Sequence, residues 1–248
     1  MIADILTVIW KERKLLFRQG GSRLRTVFVL MVPLIMVGVF LPWQEGAGWI
    51  EGYWSLIGSV LFPLLLVGIV IPESFAGERE RHTLGTLLAS RLSDQAILFG
   101  KVAVAVGYGW AVALLTLVVG LVTVNIAHWD GQLMFLAPGI ALSNVALSLV
   151  MAVLMAGLGV LISLRSATVQ GATQLLMAVT LLPLVVLQVL ALVLLRMGPG
   201  VRDNIGDFFA SINPTHVILI AIAVLVVVIL GLFRIVKAKF QRERLTLD

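Results

Sequence analysis

An all-α, polytopic membrane fold is predicted by three observations. The 248-residue chain is 60% hydrophobic and only 12% charged, about half the charged share of roughly 25% usual in soluble domains, and its mean hydropathy is +1.08. The apolar residues gather into six runs, near residues 27–41, 54–71, 102–126, 140–164, 172–195 and 217–233, where a membrane helix needs about 20 apolar residues. Sixteen of the eighteen Lys and Arg residues fall on one side of that pattern and none lies inside a run. Cationic loops remain on the cytoplasmic side, so both termini are predicted to be cytoplasmic, in agreement with an even number of spans.

Residues 1–26 carry Lys11, Arg13, Lys14, Arg18, Arg23 and Arg25 ahead of the first run. This is long for a signal peptide, so the first run is expected to be a retained span. At about 100° per residue, Ile2, Ile5, Leu6, Ile9, Trp10, Leu16 and Phe17 share a face opposite Asp4, Thr7, Lys11, Lys14 and Arg18. An amphipathic helix lying in the cytoplasmic headgroup layer is expected there. The transmembrane domain then occupies residues 27–236. Pro33, Pro63 and Pro183 fall inside spans and should kink them, and Trp43 could anchor the short first span at the interface. Pro138 is expected to separate a short interfacial piece from the fourth span. The inner loop 73–101 carries Arg79, Arg81, Arg91 and Lys101, and Arg165 follows the fourth span. In the outer loop 196–214, Gly198-Pro199-Gly200 breaks the chain, and Val201, Ile205, Phe208, Phe209 and Ile212 then follow helical spacing. A short helix is expected there. A basic tail, 237–248, closes the chain.

The composition also excludes functions. Zero cysteines remove disulfides, thiolate catalysis and Cys-based metal sites. The net charge of +5 sits at span ends, where topology and anionic headgroups account for it without nucleic acid. No Asp, Glu, His or Lys lies within a span, where proton-coupled carriers and pumps usually place one. His82, His128 and His216 are too far apart in sequence and topology to suggest a ligand set. A metal site at Glu78 and Glu80 is weakened by Arg79 and Arg81, which offset its charge. The polar residues of the spans are neutral: Thr116, Thr123, Ser143, Asn144, Ser148, Thr173, Gln174, Thr180 and Gln188. Most are expected to bond between or within helices, and the remainder could line a pathway. The pairs Ala103 and Gly107, Ala105 and Gly109, and Ala152 and Ala156 have the spacing of close helix contacts.

The longest inner loop holds the densest signal. Glu78, Arg79, Glu80 and Arg81 form a mixed-charge patch, and Leu84, Leu87 and Leu88 make an apolar stripe. Such a segment suits docking to a soluble partner, and equally a solvated loop. Glu78-Arg79-Glu80, Gly85-Thr86, Leu87-Leu88 and Gly100-Lys101 together resemble the signature of the ABC-2 family of ABC-transporter permeases, with the type V exporter fold. Asn213-Pro214 is similar to the family's pattern too, whereas Leu92-Ser93-Asp94 stands where family members usually have a Pro.

The resemblance implies a coupling helix over residues 78–88 that seats in a separate ABC ATPase subunit, with Glu78, Arg79, Glu80, Gly85, Thr86, Leu87 and Leu88 carrying the coupling. It implies two ATPase copies and a second permease subunit, expected to be identical, in a plasma (inner) membrane. ATP and Mg would bind the ATPase, and this chain would hold no cofactor. It has no G-x-x-x-x-G-K-[ST] phosphate loop, since Gly100-Lys101 lacks the upstream Gly. In the family the second and fifth spans commonly face the substrate, which points to Gln174, Thr180 and Gln188. An apolar pathway with a few amides suits export of a lipid, drug or peptide antibiotic. The alternative is a nucleotide-independent channel or secondary carrier, against which the absence of intramembrane charge and of inverted repeats counts.

Overall fold

The computed structural model describes residues 2–18, 31–83, 85, 91–196 and 214–240. Among these there is no strand. The helices are α1 (Ile2–Arg18), α2 (Met31–Glu45, with a π-helical turn at Met36–Phe40), α3 (Ala47–Glu51), α4 (Leu56–Glu80), α5 (Asp94–Ala127), α6 (Pro138–Ser163), α7 (Val169–Arg196) and α8 (Pro214–Lys239). Five of them, α4 to α8, are long and apolar enough to cross a membrane. The first predicted span falls partly outside the described residues, and its described portion belongs to the shorter apolar helix α2. The expected outer helix lies within residues 197–213, which are outside the described residues.

The boundaries follow local chemistry. Ser93 caps α5 by accepting a hydrogen bond from the Ala96 N–H at 3.3 Å. Pro138 stands at the start of α6, where its missing N–H is harmless. The segment ahead of it is not helical and is pinned by Asn125, which donates to and accepts from the backbone of Met134. Pro63 and Pro72 both lie inside α4. The second span therefore continues past Pro72 to Glu80 instead of ending near residue 71. Likewise α5, at 34 residues, is about 51 Å long at 1.5 Å per residue. That exceeds a hydrocarbon core of ~30 Å, and the surplus is at its start.

Helix α4 is the central element. It packs against α5, α6 and α7, and 61% of its most apolar stretch is buried, against 6% for α7 and none for α8. A bilayer must cover what protein does not, so α7 and α8 are the peripheral members. The largest core cluster, with Leu64, Val67, Ile71, Phe75, Ile97 and Met155, fills the half of the bundle nearer the basic loops. Close approach there depends on small residues. A Cβ on Gly109 would stand 2.6 Å from Val67 Cγ2, and one on Gly159 2.8 Å from Ile71 Cγ2. Ala105, Ala152 and Ala156 are fully buried. Two of the three small-residue pairs thus serve packing within the subunit, while Ala103 and Gly107 are exposed.

In the other half, Asn144 is fully buried. It accepts from Ser59 Oγ at 2.7 Å and donates to Ser55 Oγ and to the Ile140 carbonyl, tying α6 to the start of α4. Thr116, Ser148, Thr173 and Thr180 bond back to carbonyls of their own helices. Thr123 also reaches Gly38 O in α2. At the far end Trp49 is buried against Gly120. Gly46, at φ +54, turns the chain between α2 and α3, and the His128 ring beside it bonds Trp43 O at 2.8 Å.

Candidate functional site: a charged hub at the basic end

Glu78, Arg79 and Glu80 form the last turn of α4, not the beginning of a separate helix. The helix ends in a Schellman arrangement: His82 N donates to Arg79 O and Thr83 N donates to Glu78 O, both at 2.9 Å. The residue in the left-handed position is His82, at φ +56, where glycine is usual. His tolerates that region better than most side chains, though at a cost. The Thr83 hydroxyl adds a second bond to Glu78 O. The direction in which the inner loop leaves α4 is therefore fixed by backbone bonds.

Successive residues of this turn point to different elements. Glu78 turns inward: its Oε1 accepts from Lys11 Nζ at 2.9 Å and forms an ion pair with Lys101 Nζ at 3.0 Å. Lys101 also donates to Glu12 Oε1 at 3.0 Å and to the Ser74 carbonyl at 2.7 Å. Ser74 Oγ donates to Glu12 Oε2. The side chain of Lys101 is 1% exposed, that of Glu12 6% and that of Glu78 7%. Burial of unpaired charges at this depth would cost several kcal/mol each, so the three charges depend on one another. Glu78 Oε2 is buried and has no hydrogen-bond partner among the described residues.

Arg79 points the other way, donating to Leu164 O at 2.9 Å and Ser166 O at 3.4 Å. These carbonyls lie where α6 ends and lack helical partners. Glu80 Oε2 accepts from Val169 N at 3.0 Å, which places a carboxylate at the positive start of α7. Arg81 pairs with Glu73 at 2.7 Å, but both are largely exposed, and such pairs contribute about 0–1 kcal/mol. Glu78, Arg79 and Glu80 thus tie the end of α4 to α1, α5, α6 and α7.

The seating of α1 follows from the same cluster. Val8 and Glu12 face the bundle, with Val8 against Gly100: a Cβ there would stand 2.6 Å from Val8 Cβ. Gly100 admits the helix and Lys101 binds it electrostatically. Ile2, Leu6 and Trp10, each four residues apart, are left exposed, and Lys14 lies 4.6 Å over the Trp10 ring. Below the cluster, Lys101 Nζ sits 5.4 Å from the Phe75 ring, which meets Phe240 edge-on at 5.9 Å. The end of α8 is thereby joined to the hub.

Of the remaining sequence-predicted residues, Gly85 is exposed, and a Cβ there would meet no atom of the described residues within 4 Å. Thr86, Leu87 and Leu88 lie outside the described residues, as does Leu84. Glu78 and Glu80 engage different partners, and among the described residues no group of three His, Cys, Asp or Glu could hold a metal ion. On α7, Gln174 and Gln188 are exposed, and Thr180 is satisfied by Leu176 O at 2.8 Å. Sequence reasoning did not single out Glu12. Its signal was that of an acid flanked by Lys11, Arg13 and Lys14, which a count of basic residues passes over. Lys101 was read only as part of a motif.

No curated protein matches this chain. The family profile described as "ABC-2 type transporter" matches residues 3–191, from α1 through most of α7, and so includes every residue of the hub. The chain belongs to the ABC-2 type transporter family, as a multi-pass membrane permease component rather than the ATPase.

Proposed function

We propose that this permease extrudes a hydrophobic or amphipathic molecule, such as a lipid, drug or peptide antibiotic, driven by a separate ATPase subunit that seats on the inner loop. The observation that carries the reading is the hub. A push on residues 78–88 acts on a turn bonded to the ends of α6 and α7 and to the buried Lys101. Movement imposed by ATP binding in the partner would reach several helices at once, because the intervening contacts are short and the one to Lys101 is buried. Two ATPase copies and a second, identical permease complete the assembly in this proposal. The sixth span is the one to which α2 belongs, both termini lie in the cytoplasm of a cell bounded by the plasma (inner) membrane, and α1 rests in the headgroup layer on Ile2, Leu6 and Trp10.

The cargo class rests on the character of the membrane-facing surface. A groove of about 370 Å³ between α4 and α7 is lined by Tyr53, Ile57, Val60, Leu64, Leu181 and Leu184 among others. Gln174 and Gln188 lie fourteen residues apart on α7, within about 40° of one another around the helix and about 21 Å along it. Leu181 sits between them on that face. An amide facing lipid is costly, so this face is better suited to a pathway or a second subunit.

The test is Glu80→Ala in the assembled transporter. The Val169 N–H loses its acceptor while Glu78 and Lys101 keep their partners. Insertion should be as wild type and transport-linked ATP hydrolysis should fall. Unchanged coupled hydrolysis would remove Glu80 from the coupling path.

A further inference from the structure

At the same end of the bundle a groove of about 420 Å³ opens between the start of α5 and the end of α8, lined by Asp94, Gln95, Leu98, Arg234, Lys237 and Phe240 among others. Its floor is apolar: Leu98 is 1% and Phe240 4% exposed. Arg234 and Lys237, one turn apart on α8, are both exposed. Unlike Lys11, Arg81 and Lys101, neither forms an ion pair among the described residues. Below them on the same face of α8, Leu230 and Val227 are 61% and 69% exposed. The groove therefore has two cations at its mouth and continues into a bare apolar helix face. Both walls belong to helices long enough to span a membrane, which sets the cations at the level where a span meets the headgroups.

We propose that this groove binds one anionic phospholipid. Its phosphate accepts hydrogen bonds from Arg234 and Lys237, the Gln95 amide lies within the same mouth, and an acyl chain follows Leu230 and Val227. Basic pockets between spans on the cytoplasmic side suit such headgroups, and Arg offers a planar fork to a phosphate. Asp94 stands on the opposite wall with an interaction of its own, and it confines the anion to the α8 side. A soluble protein partner fits less well, because the cations flank an apolar floor and the apolar helix face continues directly from them. The inference rests on α5 and α8 as spans, and not on the coupling role of the hub.

The experiment is native mass spectrometry of the purified full-length chain, with any subunits that accompany it, titrated with phosphatidylglycerol or phosphatidylcholine. Phosphatidylglycerol should be retained preferentially. At about fivefold per basic side chain near an anionic surface, Arg234→Gln with Lys237→Gln should weaken that retention roughly thirty-fold. Arg234→Lys with Lys237→Arg should keep it, and the charge-matched Arg13→Gln with Lys14→Gln should leave it unchanged. Equal losses in both neutralised pairs would mean diffuse surface charge, and no loss in the first pair would place the lipid elsewhere; either overturns the proposal. So would loss of an accompanying ATPase with phosphatidylglycerol retained, which would assign the groove to a protein contact. Because lipid retention is read without ATP, failure here leaves the permease reading standing, and failure of ATPase association leaves this one standing.

Discussion

Replacing Lys101 with Met should be the most damaging conservative change in the chain. The ammonium it removes lies 3.0 Å from both Glu12 Oε1 and Glu78 Oε1 and 2.7 Å from Ser74 O. What remains is a pair of buried carboxylates that had shared one cation. Breaking a buried ion pair from one side costs about 3–5 kcal/mol. Lys11 still reaches Glu78 at 2.9 Å, but its side chain is 40% exposed, so it offsets only part of the loss, and the lower end of about 3 kcal/mol is the better figure. For a chain of this size that corresponds to a fall of about 6–12 °C in Tm, measured in detergent by tryptophan fluorescence. Adding Glu12→Gln removes the surplus charge and should restore more than half of the loss, because residues in one network are not additive. A Lys101→Met protein within 0.5 kcal/mol of wild type would refute the hub as a stabilising network. Equal losses with and without Glu12→Gln would refute its electrostatic origin.

Gly100→Leu should detach α1, since even a Cβ there would collide with Val8; overpacking costs about 1–3 kcal/mol, and faster proteolysis of the first helix would report it. His82→Gly relieves a left-handed side chain and should leave stability unchanged or raise it by up to about 1 kcal/mol, a gain that a lowered Tm would disprove. Asn144→Leu leaves Ser55 and Ser59 without their shared partner and should cost about 1 kcal/mol, typical for polar contacts between spans; a loss above 3 kcal/mol would mean that these bonds are stronger than their geometry implies. The chain has no cysteine, so Gln188→Cys can be probed alone. In the reconstituted assembly it should react with a water-soluble maleimide while Val186→Cys, on the opposite face of α7, does not, and equal protection of both would remove Gln188 from the pathway.

The helical class and the long spans were legible because lipid imposes a coarse rule: about 20 apolar residues without charge. Their ends were less legible. Residues 72–80 continue α4 through Pro72, although Pro, Glu, Ser and Gly together read as a loop. Once a helix leaves the bilayer its length is set by tertiary bonds, here Arg79 to Leu164 O and Glu80 to Val169 N, which no local pattern contains. The same limit explains the hub. Lys101 and Gly100 stood out as a pair, but their reasons, Glu12 and Val8, lie about ninety residues away. The amphipathic reading of α1 put Ile2, Leu6 and Trp10 on the apolar face and Lys11 on the face opposite. Its ammonium in fact reaches inward to Glu78, and Val8 and Glu12 form the docking face. A single hydrophobic period cannot distinguish a face that meets lipid from one that meets protein.

The most direct test of the coupling claim is gentle detergent purification of the tagged chain from its native host, followed by mass spectrometry of the accompanying subunits, for wild type and for a variant with residues 78–88 scrambled. A stoichiometric ATPase bearing a phosphate-binding loop is expected with wild type, and its loss from the scrambled variant while the permease still inserts. A stable oligomer of this chain alone, or an ATPase that stays bound to the scrambled variant, would contradict it.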